Sequence, residues 1–290
     1  MKRPIFTGVC TALVTPFWVN KVNYPLAEIL LQRQIDAGIT AVVLAGTTGE
    51  APTLSDEEKL TLFARSKAYV GNACTIIAGT GSNSTAHTVE LSRAAEAVGA
   101  DALLVVSPYY NKATPDGLIA HYLSVAEAVN IPIIIYNVPS RTGLDIPVSV
   151  YQRLSLHPNI VGVKEASTDI TKITQIRTLC GDDFTVWSGN DDQIVPGIAL
   201  GGKGVISVLS NALPLETAKM ANAALSGDFA TASALQCKLY PLIKALFSEV
   251  NPIPVKAAMD ILGFDCGGCR LPLCDASNDV KAYLRTLLQI

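Results

Sequence analysis

The sequence predicts an α/β protein, a (β/α)8 TIM barrel with a C-terminal helical extension. Eight short β-type runs end near Thr15, Gly46, Gly79, Ser107, Tyr136, Lys164, Ser188 and Ser207. From the second onward the early runs recur about every 30 residues, the length of one βα unit. Their interiors, such as Ala41-Val-Val-Leu-Ala45 and Ala102-Leu-Leu-Val-Val106, are near-continuous in apolar residues, the pattern of strands buried on both faces.

The first run, Ile5 to Val14, follows Met-Lys-Arg-Pro and superficially resembles a signal peptide. Its threonines, Gly8 and Pro16 make a poor apolar segment and no Ala-x-Ala site follows, so it reads as the first strand. Ser55-Asp-Glu-Glu58 is a capping box, with Leu60, Phe63, Ala64 and Lys67 following at helical spacing. Thr114-Pro115 supplies an N-cap and a proline at the first helical position. Gly38, Gly71 and Gly99 stand where helices should stop. The seventh helix is compressed into 191–200. An open doubly wound sheet would carry a nucleotide fingerprint, and Gly79-Thr-Gly81-Ser-Asn lacks the third glycine. The barrel is expected over 1–215. Beyond it, 215–225, 229–247, 255–262 and 278–290 read as helices, a layer over 216–290 with no linker before it.

The 290 residues are 49% hydrophobic and carry a net charge of −3, with no Lys/Arg run. That composition argues against nucleic-acid and membrane-surface partners, and no stretch approaches the roughly 20 apolar residues of a membrane span. Seven scattered cysteines suit a reducing cytoplasm better than a disulfide framework. Cys266-Gly-Gly-Cys269 with Cys274 offers three thiols and no fourth ligand nearby, so it reads as a reduced surface turn in place of a zinc site. No His/Asp/Glu cluster suggests a metal, and no cofactor is expected.

Active sites of such barrels lie at the C-terminal strand ends. There Ile160-Val-Gly-Val-Lys-Glu165 places Lys164 where an apolar residue belongs. Burial penalises an ammonium ion and favours the free amine, the nucleophile that an imine requires. The bland alternative is a strand-end lysine paired with Glu165. The preceding strand ends on Tyr136, a proton carrier, with Arg141 five residues on as a fork for a carboxylate. The second strand delivers Gly46-Thr47-Thr48-Gly49-Glu50, hydroxyls and amides able to hold a carboxylate or simply to cap the next helix. The fourth delivers Tyr109 and Tyr110. The seventh and eighth deliver Gly189 and Ile206, a smooth wall that leaves room for a small substrate. The three histidines read as structural or surface residues. With no phosphate cradle evident, the substrates should be small carboxylated carbonyl compounds.

Gly46-Thr-Thr-Gly-Glu50, Ser107-Pro-Tyr-Tyr-Asn111, Tyr136-Asn-Val-Pro-Ser-Arg-Thr-Gly143, Val163-Lys-Glu-Ala166 and Asn251-Pro-Ile-Pro-Val-Lys256 together resemble the dihydrodipicolinate synthases. These belong to the pyruvate-dependent Schiff-base aldolases together with N-acetylneuraminate lyase. The resemblance covers essentially the whole chain. It implies that Lys164 forms an imine with pyruvate and that Tyr136 relays protons with Thr47 and Tyr110, the last reaching in from a neighbouring subunit. Thr48 and Ile206 would hold the pyruvate end, with Gly189 in the same wall. Arg141 would grip the carboxylate of L-aspartate 4-semialdehyde, in a homo-oligomer, usually a dimer of dimers, serving diaminopimelate and lysine synthesis. The alternatives are a sister aldolase acting on a keto-sugar acid or sialic acid, and a non-catalytic keto-acid-binding barrel.

Many family members bind lysine in a cleft at the subunit interface. The matching positions are Ala51, Pro52, Asp56, Lys59, Asn83, His87 and Tyr109. Lys59 and His87 depart from the pattern of feedback-sensitive members, in which His or Glu takes the place of Lys59 and a Glu that of His87. Lysine should therefore inhibit poorly here, with Asp56 as a partial compensating charge.

Overall fold

The computed structural model describes residues 2–289. Eight parallel strands close into a barrel, each beside its neighbours in chain order: β1 (Gly8–Ala12), β2 (Ala41–Leu44), β3 (Thr75–Gly79), β4 (Ala102–Val106), β5 (Ile133–Asn137), β6 (Ile160–Glu165), β7 (Thr185–Ser188) and β8 (Gly204–Ser207). β8 returns to β1 with Cys10 beside Ile206. A hairpin of Phe17–Trp18 and Lys21–Val22 follows β1.

The connecting helices are α1 (Tyr24–Asp36), α2 (Asp56–Val70), α3 (Thr85–Ala97), α4 (Pro115–Ala126), α5 (Val148–Leu154), α6 (Thr171–Cys180) and α7 (Ile194–Ala199). Their starts follow the sequence signals. Ser55 and Glu58 form the reciprocal capping box of α2, and the Thr114 hydroxyl accepts from Gly117 N–H ahead of α4. The seventh unit is indeed short, a single 3₁₀ turn followed by the six residues of α7.

α8 (Pro214–Leu225), α9 (Phe229–Ala245), α10 (Ile253–Ile261) and α11 (Asn278–Leu288) complete the chain. α8 packs on β1 and α7 and takes the place of the eighth barrel helix, so the helical ring runs past the division expected at 215. Among the described residues no helix is long and apolar enough to cross a membrane.

Because strand side chains alternate between faces, the barrel has two cores. Cys10, Val43, Ile77, Leu104, Ile134, Tyr136, Trp187 and Ile206 fill the interior, while Leu44, Ile76, Val105, Ile135 and Val163 pack outward under the helices. Phe6, ahead of β1, stacks on Trp187 with ring centroids 4.9 Å apart and lies toward the N-terminal end of the barrel. The other end stays open, and the polar strand ends gather there.

Candidate active site

Tyr136 on β5 and Lys164 on β6 are direct register partners, as are Asn137 and Glu165 one residue on. Alternation therefore sends Tyr136 and Lys164 into the barrel and Asn137 and Glu165 outward under the helices. Lys164 is 5% exposed, and its Nζ lies over the Tyr136 ring, 4.2 Å from the centroid. Among the described residues it forms no salt bridge. Gly189, at the end of β7, makes room for it: a Cβ there would stand 2.6 Å from Ala166 Cβ and 3.0 Å from Lys164 Cε.

Glu165 is not the partner of Lys164 that the bland sequence reading allowed. Its buried carboxylate accepts from Asn137 Nδ2 at 2.8 Å, Ser167 N–H at 2.8 Å and Tyr151 Oη at 3.3 Å, and Lys172 Nζ lies 3.7 Å away. Lys172 also pairs with Asp145, which accepts from Asn137 Nδ2 as well. This polar cluster ties the ends of β5 and β6 together behind the two inward side chains. Beyond β7, Asp191 Oδ2 accepts from the N–H groups of Val208 and Leu209. Burial pushes the Asp191 carboxyl above its ordinary value, against the pull of Ser207, those two N–H groups and the Lys164 charge.

The loop after β2 is built differently. Glu50 adopts φ 57°, in the left-handed region, and Thr15 Oγ1 donates to Gly49 O at 2.7 Å. Glu50 is buried. Its carboxylate receives Lys256 Nζ at 2.9 Å and Arg270 N–H at 2.9 Å, both from the C-terminal region. Arg270 also clamps Glu58 through two of its nitrogens and lies over the Phe17 ring. Thr48 is buried, and its hydroxyl receives Asn251 Nδ2 at 3.0 Å. Arg141, on the helical turn Pro139–Thr142, stands exposed at the rim and donates from Nη2 to the Asn251 carbonyl at 3.0 Å.

Thr47, Tyr136 and Arg141 line one open cavity of about 730 Å³. The same cavity extends to Ala51, Pro52, Asp56, Lys59, Asn83, His87 and Tyr109, so all seven expected effector positions share it. Lys164, Thr48, Gly189 and Ile206 do not line it. Tyr110 stands apart, 90% exposed at φ 74°. Within the expected cleft, Asp56 receives Lys59 Nζ at 3.3 Å and His87 Nε2 at 2.7 Å. Partial burial pushes the Asp56 carboxyl up, but hydrogen bonds from His87 and Lys59 outweigh it and hold it below its ordinary value.

The cysteine reading needs one correction. Cys266 is not on a surface turn: it is fully buried, its N–H bonded to Asp260 and its carbonyl to Phe17 N–H. Burial pushes the thiols of Cys266 and Cys269 up to about 12, which keeps them protonated. Cys274 is exposed. His121 is buried, and burial pushes its imidazole down to about 4.

Sequence reasoning assigned no role to Asn251 or Lys256, although both lie in a motif it singled out, and it passed over Arg270 and Lys172. The faces of β5 and β6 were readable from strand alternation alone.

The Dihydrodipicolinate synthetase family profile matches residues 5–290. The chain belongs to the dihydrodipicolinate synthetase family. A relative from Acetivibrio thermocellus, named 4-hydroxy-tetrahydrodipicolinate synthase, is 49% identical over 289 residues, 100% of this chain and 98% of the relative. The solved dihydrodipicolinate synthase from Aquifex aeolicus superposes with a TM-score of 0.96 at 43% identity, covering 98% of this chain and 97% of that one. A further solved structure, described as the first monomeric dihydrodipicolinate synthase variant, matches with a TM-score of 0.96 at 41% identity over 98% and 96% of the two chains. Family membership thus extends over both the barrel and its C-terminal helices.

Proposed function

We propose that this chain is a Schiff-base-forming lyase that condenses pyruvate with L-aspartate 4-semialdehyde, the 4-hydroxy-tetrahydrodipicolinate synthase reaction of diaminopimelate and lysine synthesis. The observation that carries the reading is Lys164, a buried amine without a salt bridge among the described residues, seated over Tyr136 at the open end of the barrel.

Lys164 Nζ, after giving up its proton, attacks the ketone carbon of pyruvate, and loss of water leaves an imine. The Tyr136 ring centroid lies 4.2 Å from Lys164 Nζ, which supports a role for Tyr136 in passing protons to the departing oxygen, with Thr47 in the relay. Loss of a methyl proton converts the imine to an enamine, whose carbon attacks the aldehyde of the second substrate. The aldehyde oxygen becomes the ring hydroxyl. The substrate's own amine then attacks the imine carbon, closing the ring and returning Lys164 as a free amine. Thr48 and Ile206 hold the pyruvate end, Gly189 keeps the wall open, and Arg141 at the rim meets the semialdehyde carboxylate.

Tyr110 serves the site of a neighbouring copy in a homo-oligomer, a dimer or a dimer of dimers. A tyrosine held at positive φ with its ring in solvent pays a backbone penalty that a subunit contact would repay. Seven free cysteines fit a cytoplasmic enzyme. The test is borohydride trapping with pyruvate, followed by mapping of the adduct. A reduced pyruvyl adduct on Lys164 is expected. A trapped adduct elsewhere, or none, would overturn the assignment.

A further inference from the structure

We propose that Asn251 is a positioning residue of this site: its side-chain amide directs the hydroxyl proton of Thr48 toward the bound pyruvate carboxylate. The proposal rests on the pyruvate reading above.

Asn251 comes from the segment that precedes α10, outside the barrel strands, and is 5% exposed. Its Nδ2 donates to Thr48 Oγ1 at 3.0 Å, while its Oδ1 is buried with no partner. A hydroxyl has one proton and two lone pairs. Once one lone pair is taken by the amide, the Thr48 proton is free to point elsewhere, and a carboxylate is the acceptor that gains most from it. The reverse amide orientation would make the hydroxyl donate to Oδ1, so the Thr48 proton would be taken up by the amide and not by a ligand. In the observed orientation the Thr48 proton stays available, and the amide oxygen is the buried atom left unpaired.

The backbone of the same residue reaches the other substrate's position. Its carbonyl accepts from Arg141 Nη2 at 3.0 Å, which holds the guanidinium at the rim until a carboxylate arrives. One residue of the C-terminal layer thereby touches the candidate contacts for both substrates.

The readout is the pyruvate concentration that half-saturates borohydride trapping at Lys164, a measure of the first substrate alone. Asn251→Ala should raise it roughly 5- to 10-fold, the equivalent of one net hydrogen bond. Asn251→Asp is nearly isosteric but can only accept, so it should turn the Thr48 proton away and raise half-saturation further. In a Thr48→Val background neither change should move it more than about twofold, because the hydroxyl they act through is gone. Equal losses in both backgrounds would overturn the proposal and leave Asn251 a packing residue. So would an Asn251→Asp enzyme that binds pyruvate as the wild type does. Should Asn251→Ala fold poorly, the Asp variant carries the same decision. Failure of trapping in the wild-type protein would instead defeat the pyruvate reading itself.

Discussion

The two sides of the barrel mouth are held in place by different parts of the chain. On the β5–β6 side the candidate reactive residues Tyr136 and Lys164 sit on strands, and the polar cluster behind them is drawn from those strands and the segments just after them: Asn137, Asp145, Glu165 and Lys172. On the β2 side, Thr47 and Thr48 sit in a loop whose contacts come from far along the chain. Asn251 lies 203 residues from Thr48, and Lys256 lies 206 residues from Glu50. The candidate nucleophile is therefore positioned by local strand pairing, whereas the proposed pyruvate contacts depend on how the C-terminal helices dock.

The sharpest way to break this comparison is to delete one buried cation from each side. Lys256→Met leaves the Glu50 carboxylate buried without its cation and should destabilise the protein by about 3–5 kcal/mol. Lys172→Met leaves Glu165 with three hydrogen-bond donors, so the loss should be nearer about 1–3 kcal/mol. Urea unfolding monitored by circular dichroism measures both. An equal or larger loss for Lys172→Met would mean that the β5–β6 side leans on its ion pair as heavily as the β2 side does.

Arg141 stands between the two sides and tests whether they serve different substrates. Arg141→Ala should lower kcat/KM for the semialdehyde by about 2 kcal/mol, roughly 30-fold, at the lower end for a charge-assisted pair because the residue is exposed at the rim. Pyruvate trapping at Lys164 should be nearly unchanged. Unaltered semialdehyde kinetics would remove the clamp and favour a sugar-acid substrate.

The smallest effect concerns the far end of the shared cavity. Lysine would meet the Lys59 ammonium there, and the nearby Asp56 carboxylate is already engaged by Lys59 and His87. Repulsion and the missing carboxylate should each weaken binding by about 1 kcal/mol. Half-inhibition by lysine at saturating pyruvate should therefore fall at or above roughly 1 mM, and His87→Glu should lower it. Strong inhibition of the unaltered enzyme well below that concentration would show that Asp56 changes partners when lysine arrives.

Part of this site was legible because it breaks a local pattern. A lysine within an apolar strand run and a tyrosine at the end of the preceding one are anomalies that composition alone exposes. Glu165 shows the limit of reading neighbours as partners: the residue next to Lys164 in the chain points to the other face. Cys266 shows a second limit, since Cys-Gly-Gly-Cys looks like an exposed turn until Phe17 is found bonded to it. Thr48 was expected to hold a carboxylate, but nothing near it in the chain revealed the Asn251 amide bonded to its hydroxyl.

The sequence by itself determined the alternation of strands and helices and the cap positions, and it singled out the candidate nucleophile, because hydrophobic period, turn chemistry and a misplaced charge act over a few residues. Only the tertiary structure decided that Asn251 meets Thr48, that Lys256 neutralises Glu50 and that Asp56 is shared by Lys59 and His87. The first two contacts join segments more than 200 residues apart, and the third joins side chains on successive helices. Their distances are set by barrel closure, the packing of adjacent helices and the docking of the C-terminal layer, which no local pattern encodes.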